Sequence, residues 1–129
     1  MKIYLFIRRL IPAIVLVGAM ATQVSMAETL DGFDATRAGD YQSALKFWQT
    51  RASKGDAQAQ FNLALMYHGG LGVKANEAEA VKWYQTAAEN NSILAQEYMA
   101  VAYQEGWFGL KRDPEKAKYW YKRLSQNGF

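Results

Sequence analysis

Residues 59–70 read AQFNLALMYHGG and residues 95–106 read AQEYMAVAYQEG. Ala59 meets Ala95, Leu63 meets Met99, Ala64 meets Ala100, Tyr67 meets Tyr103 and Gly70 meets Gly106, always 36 positions apart. A second pair follows: AVKWYQTAA (Ala80–Ala88) meets AKYWYKRLS (Ala117–Ser125), now 37 apart. One residue has therefore been inserted in the loop between the two segments, where extra length costs little. An earlier copy, ALKFWQTRA (Ala44–Ala52), stands 36 positions before Ala80.

Every copy has helical spacing. Ala59, Leu63, Ala64 and Tyr67 fall on one face at i, i+4, i+5 and i+8, and Ala80, Trp83, Tyr84, Ala87 and Ala88 on another at i, i+3, i+4, i+7 and i+8. Ala117, Trp120, Tyr121 and Leu124 repeat that second face. Alanines recurring opposite large aromatics suit closely packed helices, because a small residue lets its neighbour approach. Beyond residue 27 no short alternating run rich in Val, Ile and Thr signals a strand. The fold class read here is all-α, and a period in the middle thirties with two helices per unit defines a helical solenoid.

The chain has 129 residues, room for one domain. Its start has the layout of a secretory signal: Lys2, Arg8 and Arg9, then the apolar run LIPAIVLVGAMA, then the small-residue sites Ala19-Met20-Ala21 and Ser25-Met26-Ala27. An apolar run of 12 residues is short of the roughly 20 that a membrane span needs. We expect a signal peptide over 1–27 with cleavage after Ala27, cleavage after Ala21 or retention as an anchor being the alternatives, and hence a periplasmic location. Three of the 15 Lys and Arg lie in that segment and none of the 12 Asp and Glu. The remainder is close to neutral, so the basic balance gives no support to nucleic-acid binding. Residues 28–110 hold 10 acids and 6 bases, whereas 111–129 hold 6 bases and 2 acids. No cysteine is present to staple the exported core, and 16 aromatic residues beyond the signal must do that work by packing.

The stretch from Phe61 to Gly72 combines the single histidine, His68, with Gly69, Gly70 and Gly72. A zinc site needs three or four ligands, and one His without Cys does not supply them. The glycines lack the preceding strand and the Gly-Lys-Ser/Thr ending of a phosphate loop; Lys74 is followed by Ala75. Two of the three recur in the next unit, as a helix-ending turn requires. Ser43, Ser53, Ser92 and Ser125 sit in no nucleophile elbow. Glu77 and Glu79 stand at a helix start, where acids offset exposed amides. The expectation is a non-enzyme without catalytic residues, metal or cofactor.

Gly55–Asn91, GDAQAQFNLALMYHGGLGVKANEAEAVKWYQTAAENN, resembles a Sel-one-like repeat, a relative of the tetratricopeptide repeat. It shows that family's Met-Tyr, Gly-x-Gly-Val turn, Ala-x-x-Trp-Tyr helix and closing Ala-Ala, with Ala64 where the family has glycine. The next unit keeps Tyr103, Gly106, Gly109, Ala117, Trp120 and Tyr121, but closes on Leu124-Ser125. The leading segment AGDYQSALKFW (Ala38–Trp48) is closer to the tetratricopeptide turn. The resemblance implies a right-handed α-α solenoid of antiparallel helix pairs over 28–129: a leading pair at 29–54 and repeats at 57–91 and 93–127. About three repeats are needed for a stable stack, so two units and a leading pair suggest marginal stability and a C-terminal end open to self-association.

The resemblance also implies a concave groove lined by the first helix of each pair. Counting from Leu63 and Tyr67, its walls should be Gln58, Phe61, Asn62, Leu65 and His68, then Glu97, Tyr98, Val101 and Gln104. Apolar anchors mixed with amides suit an extended peptide or a partner helix, although an aromatic stripe at helical spacing also fits plain core. A second surface is basic: Lys111, Arg112, Lys118, Lys122 and Arg123 either meet an acidic partner, lipid headgroups or wall-linked anions, or form a solvated helix face. The implied function is a protein-binding adaptor or regulator of an envelope or periplasmic partner, of immunity or signalling type. The alternative implied by the resemblance is a periplasmic cell-wall or β-lactam hydrolase, though this chain lacks the cysteines of the family members concerned.

Overall fold

The computed structural model describes residues 31–127; the expected signal peptide lies outside the described residues. These form six helices: α1 (Gly32–Arg37), α2 (Tyr41–Ala52), α3 (Ala57–Gly69), α4 (Glu77–Glu89), α5 (Ile93–Glu105) and α6 (Pro114–Gln126). Each packs on the helices before and after it. The all-α reading holds.

Each helix starts where a short polar side chain can accept a free amide. The N-caps are Asp31, Asp40, Asp56, Asn76, Ser92 and Asp113. Such a cap stabilises a helix by about 1 kcal/mol over alanine. Pro114 adds a residue already shaped for the first turn. The ends of α3 and α5 are set by Gly70 and Gly106, at φ 65° and 75°, where a Cβ would be strained.

The pairing of helices can be read from hydrogen bonds that repeat with the sequence. Asn76 N–H donates to the Tyr67 carbonyl and Asp113 N–H to the Tyr103 carbonyl, both at 2.8 Å. They tie the end of the first helix of a pair to the start of the second. At the opposite end, Asn90 Nδ2 donates to Gln60 Oε1 (2.9 Å) and Asn127 Nδ2 to Gln96 Oε1 (3.0 Å). Both ends meet, so α3/α4 and α5/α6 are antiparallel pairs. The same glutamines reach backwards: Gln60 Nε2 donates to the Ala52 carbonyl and Gln96 Nε2 to the Ala88 carbonyl. Each buried amide thus joins three helices with both its donor and its acceptor used, which removes the penalty of burying it.

The core follows the alanine–aromatic pattern. Ala44, Ala80 and Ala117 are buried in α2, α4 and α6, and beside them lie Trp48, Tyr84 and Trp120. Two apolar clusters share Tyr67 and Trp83 at their border, making the packing continuous along the stack. Tyr84 is 0% exposed, whereas Tyr121, its counterpart one repeat later, is 41% exposed. Among the described residues α5 packs on α4, and no further helix packs on α6. No described helix is long and apolar enough to cross a membrane.

Candidate functional site

The site is built on an aromatic layer held by both helices of the central pair. Tyr84 of α4 reaches between α3 and α5, its ring centroid 5.6 Å from that of Phe61 and 5.1 Å from that of Tyr98. Phe108, from the loop after α5, lies 5.8 Å from Tyr84 and stands parallel to Tyr98, with planes 3° apart and centroids 6.5 Å apart. His68, at the end of α3, sets its ring edgewise on Phe108 at 4.9 Å. Its Nδ1 lies 3.3 Å from the Tyr84 hydroxyl, the donor being set by the imidazole tautomer. Burial, and secondarily the neighbouring Tyr98, pushes the Tyr84 hydroxyl well above the ordinary phenol range, so it stays neutral.

Over this layer opens a hollow of about 470 Å³ lined by His68, Glu97, Tyr98, Val101, Trp107 and Phe108. Its walls are mainly apolar. Glu97 is its one acid, is exposed, and makes no ion pair among the described residues.

Phe108 owes its place to the inserted residue. Gly70 and Gly72, at φ 65° and 69°, have only Leu71 between them; their counterparts Gly106 and Gly109, at 75° and 70°, have Trp107 and Phe108. Phe108 sits at φ 57°. For a bulky residue that left-handed conformation costs roughly 1–2 kcal/mol, and the contacts of its ring with His68, Tyr84 and Tyr98 offset the cost.

The nine groove positions expected from the sequence do not stay together. His68, Glu97, Tyr98 and Val101 line the hollow. Phe61 does not: it is 6% exposed and belongs to the core, because Tyr84 and Tyr98 close over it. Gln58 borders a separate hollow with Phe33, Phe47 and Trp48, at the junction of α1, α2 and α3. Asn62 is half-buried; its Oδ1 accepts from Gln58 Nε2 at 3.3 Å, while its Nδ2 is buried without a partner. Leu65 is exposed on the same helix. Gln104 stands outside the hollow, accepting from the Tyr121 hydroxyl at 2.8 Å.

The basic surface also divides. Arg112 Nε donates to the Gln104 carbonyl at 2.9 Å, a bond that finishes α5. Arg123 donates to Asn91 Oδ1 at 2.8 Å and lies over the Trp120 ring, tying α6 to the turn before α5. These two arginines make hydrogen bonds within the fold, although Arg112 stays exposed, and Lys111, Lys118 and Lys122 are exposed charges. Among the described residues no three His, Asp or Glu side chains gather as metal ligands. Trp107 and Phe108 were missed by counting along helices, because they lie in a loop. The change of spacing from 36 to 37 was their signal.

Stacked helical pairs with an apolar hollow on their first helices define a helical-repeat recognition scaffold. The chain belongs to the Sel1 repeat family: the Sel1 repeat model matches residues 23–56, 57–92 and 93–129. The leading segment, expected as a helix pair at 29–54 ahead of two repeats, is therefore the first of three repeats. Sel1 repeats are generally protein–protein interaction modules, typically non-catalytic.

Among solved structures, the chain is similar to a protective antigen of uropathogenic Escherichia coli strains displaying an SLR fold. That match has 42% identity and a TM-score of 0.61, over 69% of this chain and 19% of that one. A Sel1 repeat protein from Oxalobacter formigenes matches at 31% identity and a TM-score of 0.62, over 67% and 35%. Curated relatives include DAP3-binding cell death enhancer 1 of Rattus norvegicus, 47% identical over 58 residues, 45% of this chain and 11% of that protein. Chitin synthase regulatory factor 2 of Schizosaccharomyces pombe is 32% identical over 77 residues, 60% and 15%. The chain thus spans only a small part of the curated relatives it matches.

Proposed function

We propose that this protein is an exported adaptor or regulator that receives a segment of a partner protein, an extended peptide or a helix, in the groove between α3 and α5. The observation that carries the reading is the hollow over Tyr98 and Phe108. It places exposed aromatic surface in a concavity, where a partner's side chain can be desolvated. Regulatory and binding roles in the names of the two relatives are compatible with such a module. Export rests on the layout of residues 1–27.

The binding reading is tested with Val101→Lys, which puts an ammonium against the apolar wall. A partner retained by the immobilised wild-type chain should bind at least about tenfold more weakly to this variant, with the melting temperature held. A partner retained equally by both would place the binding surface elsewhere. Fusing residues 1–27 to a phosphatase active only outside the cytoplasm tests export: an active fusion is expected, and a silent one contradicts it.

A further inference from the structure

The hollow carries a preference in its chemistry, and this inference rests on the docking reading above. Tyr98, Trp107 and Phe108 line it; Trp107 is 53% exposed and Tyr98 38%. Aromatic faces carry negative potential and attract cations. The single charge in the walls is Glu97, a carboxylate on the helical turn that presents Tyr98 and Val101, without an ion pair among the described residues. No Lys or Arg lines the hollow. An unpaired acid beside aromatic faces is complementary to one kind of occupant, a cation on a long apolar stem. We infer that the hollow selects a lysine or arginine side chain of the docked partner segment, the stem covering Phe108 and Val101 and the charge meeting Glu97.

Phe108 is the wall along which that apolar stem would lie. Without the insertion, the turn after α5 would match Gly70–Gly72, and the wall parallel to Tyr98 would be missing. A bulky residue held at positive φ, with its ring on the edge of a concavity, is strain spent where a ligand can use it.

The test uses the purified chain and two synthetic heptapeptides with leucines flanking the central residue, which is arginine in one and its neutral isostere citrulline in the other. Binding is followed by the indole N–H resonance of Trp107 and the amides of α5. The arginine peptide should bind about fivefold more tightly than the citrulline peptide. Glu97→Gln should bring the two within about twofold, and Phe108→Gly should weaken the arginine peptide about tenfold. Both variants alter exposed or half-buried positions, and a melting curve for each checks that the fold is kept. Equal binding of the two peptides, or a preference that survives Glu97→Gln, overturns this inference alone. No perturbation of α5 by either peptide at about 5 mM overturns both the inference and the docking reading.

Discussion

Phe108 stacks on Tyr98 with ring planes 3° from parallel and centroids 6.5 Å apart, although it comes from a loop and Tyr98 from the middle of α5. One inserted residue thus supplies the groove with a wall that the helical repeat does not. Replacing Phe108 with glycine relieves the positive φ and removes the ring contacts, two effects of similar size. Stability should stay within about 1 kcal/mol of wild type in urea titration. A loss of about 3 kcal/mol or more would make Phe108 a core residue.

Gln96 is completely buried and bridges the Ala88 carbonyl to the Asn127 amide. Gln96→Leu fills similar space but removes one of the two donors to that carbonyl, the Asn91 amide remaining at 3.1 Å, and takes the acceptor from Asn127 Nδ2. It should cost about 1–3 kcal/mol, and Gln60→Leu, in the equivalent bridge to Ala52, should cost a similar amount. Equilibrium unfolding measures both. A neutral result would show that the bridges are incidental to stability.

Tyr84 has separable parts. Tyr84→Phe keeps the ring and loses only the contact with His68, so the change should be about 1 kcal/mol or less. Tyr84→Ala empties the centre of the aromatic layer and should cost about 3–5 kcal/mol. Thermal unfolding by circular dichroism separates the two outcomes.

The turns after α3 and α5 look alike in sequence but differ in their surroundings. A Cβ on Gly72 would meet the Tyr41 carbonyl oxygen at 2.5 Å, and Gln42 Nε2 donates to the Gly72 carbonyl at 2.8 Å. A Cβ on Gly109 would meet nothing within 4 Å. Gly109→Ala should therefore cost about 1 kcal/mol from conformation alone. Gly72→Ala should cost clearly more, since backbone must move; equal losses in denaturant titration would contradict the close approach.

Acid should weaken the fold through its caps. The Ala59 amide, then the Arg51 guanidinium, hold Asp56 below its ordinary 3.8, and the Ser43 hydroxyl and amide do the same for Asp40. A folded pKa below the unfolded one gives stability that is present above the unfolded value and lost as pH falls through the folded value. The urea midpoint should hold through mildly acidic pH and drop below about pH 4. Asp56→Asn still accepts the cap hydrogen bond but removes this charge, so it should flatten the drop. An unchanged pH profile would deny Asp56 its part.

Much of this architecture was legible in the sequence because repeats report on themselves. The alanine and tyrosine register marked α3 to α6, and Glu77 and Glu79 marked the start of α4. The site was less legible because helical spacing states which residues share a face, not how far a neighbour closes over them. Phe61 has groove spacing, yet Tyr84 and Tyr98 cover it. Arg112 and Arg123 look like free surface charge until their partners, Gln104 and Asn91, are placed beside them by the fold. Phe108 falls in a loop, where spacing has no face to report.

The central claim, that the concave face of α3 and α5 is the recognition surface, is tested most directly by photo-crosslinking. A benzoylphenylalanine probe would stand at position 101 in the hollow or at position 118 on the exposed face of α6. In cells making the full chain, the account predicts a discrete protein adduct from position 101, diminished by Phe108→Gly. Adducts from position 118 with none from position 101 would contradict it.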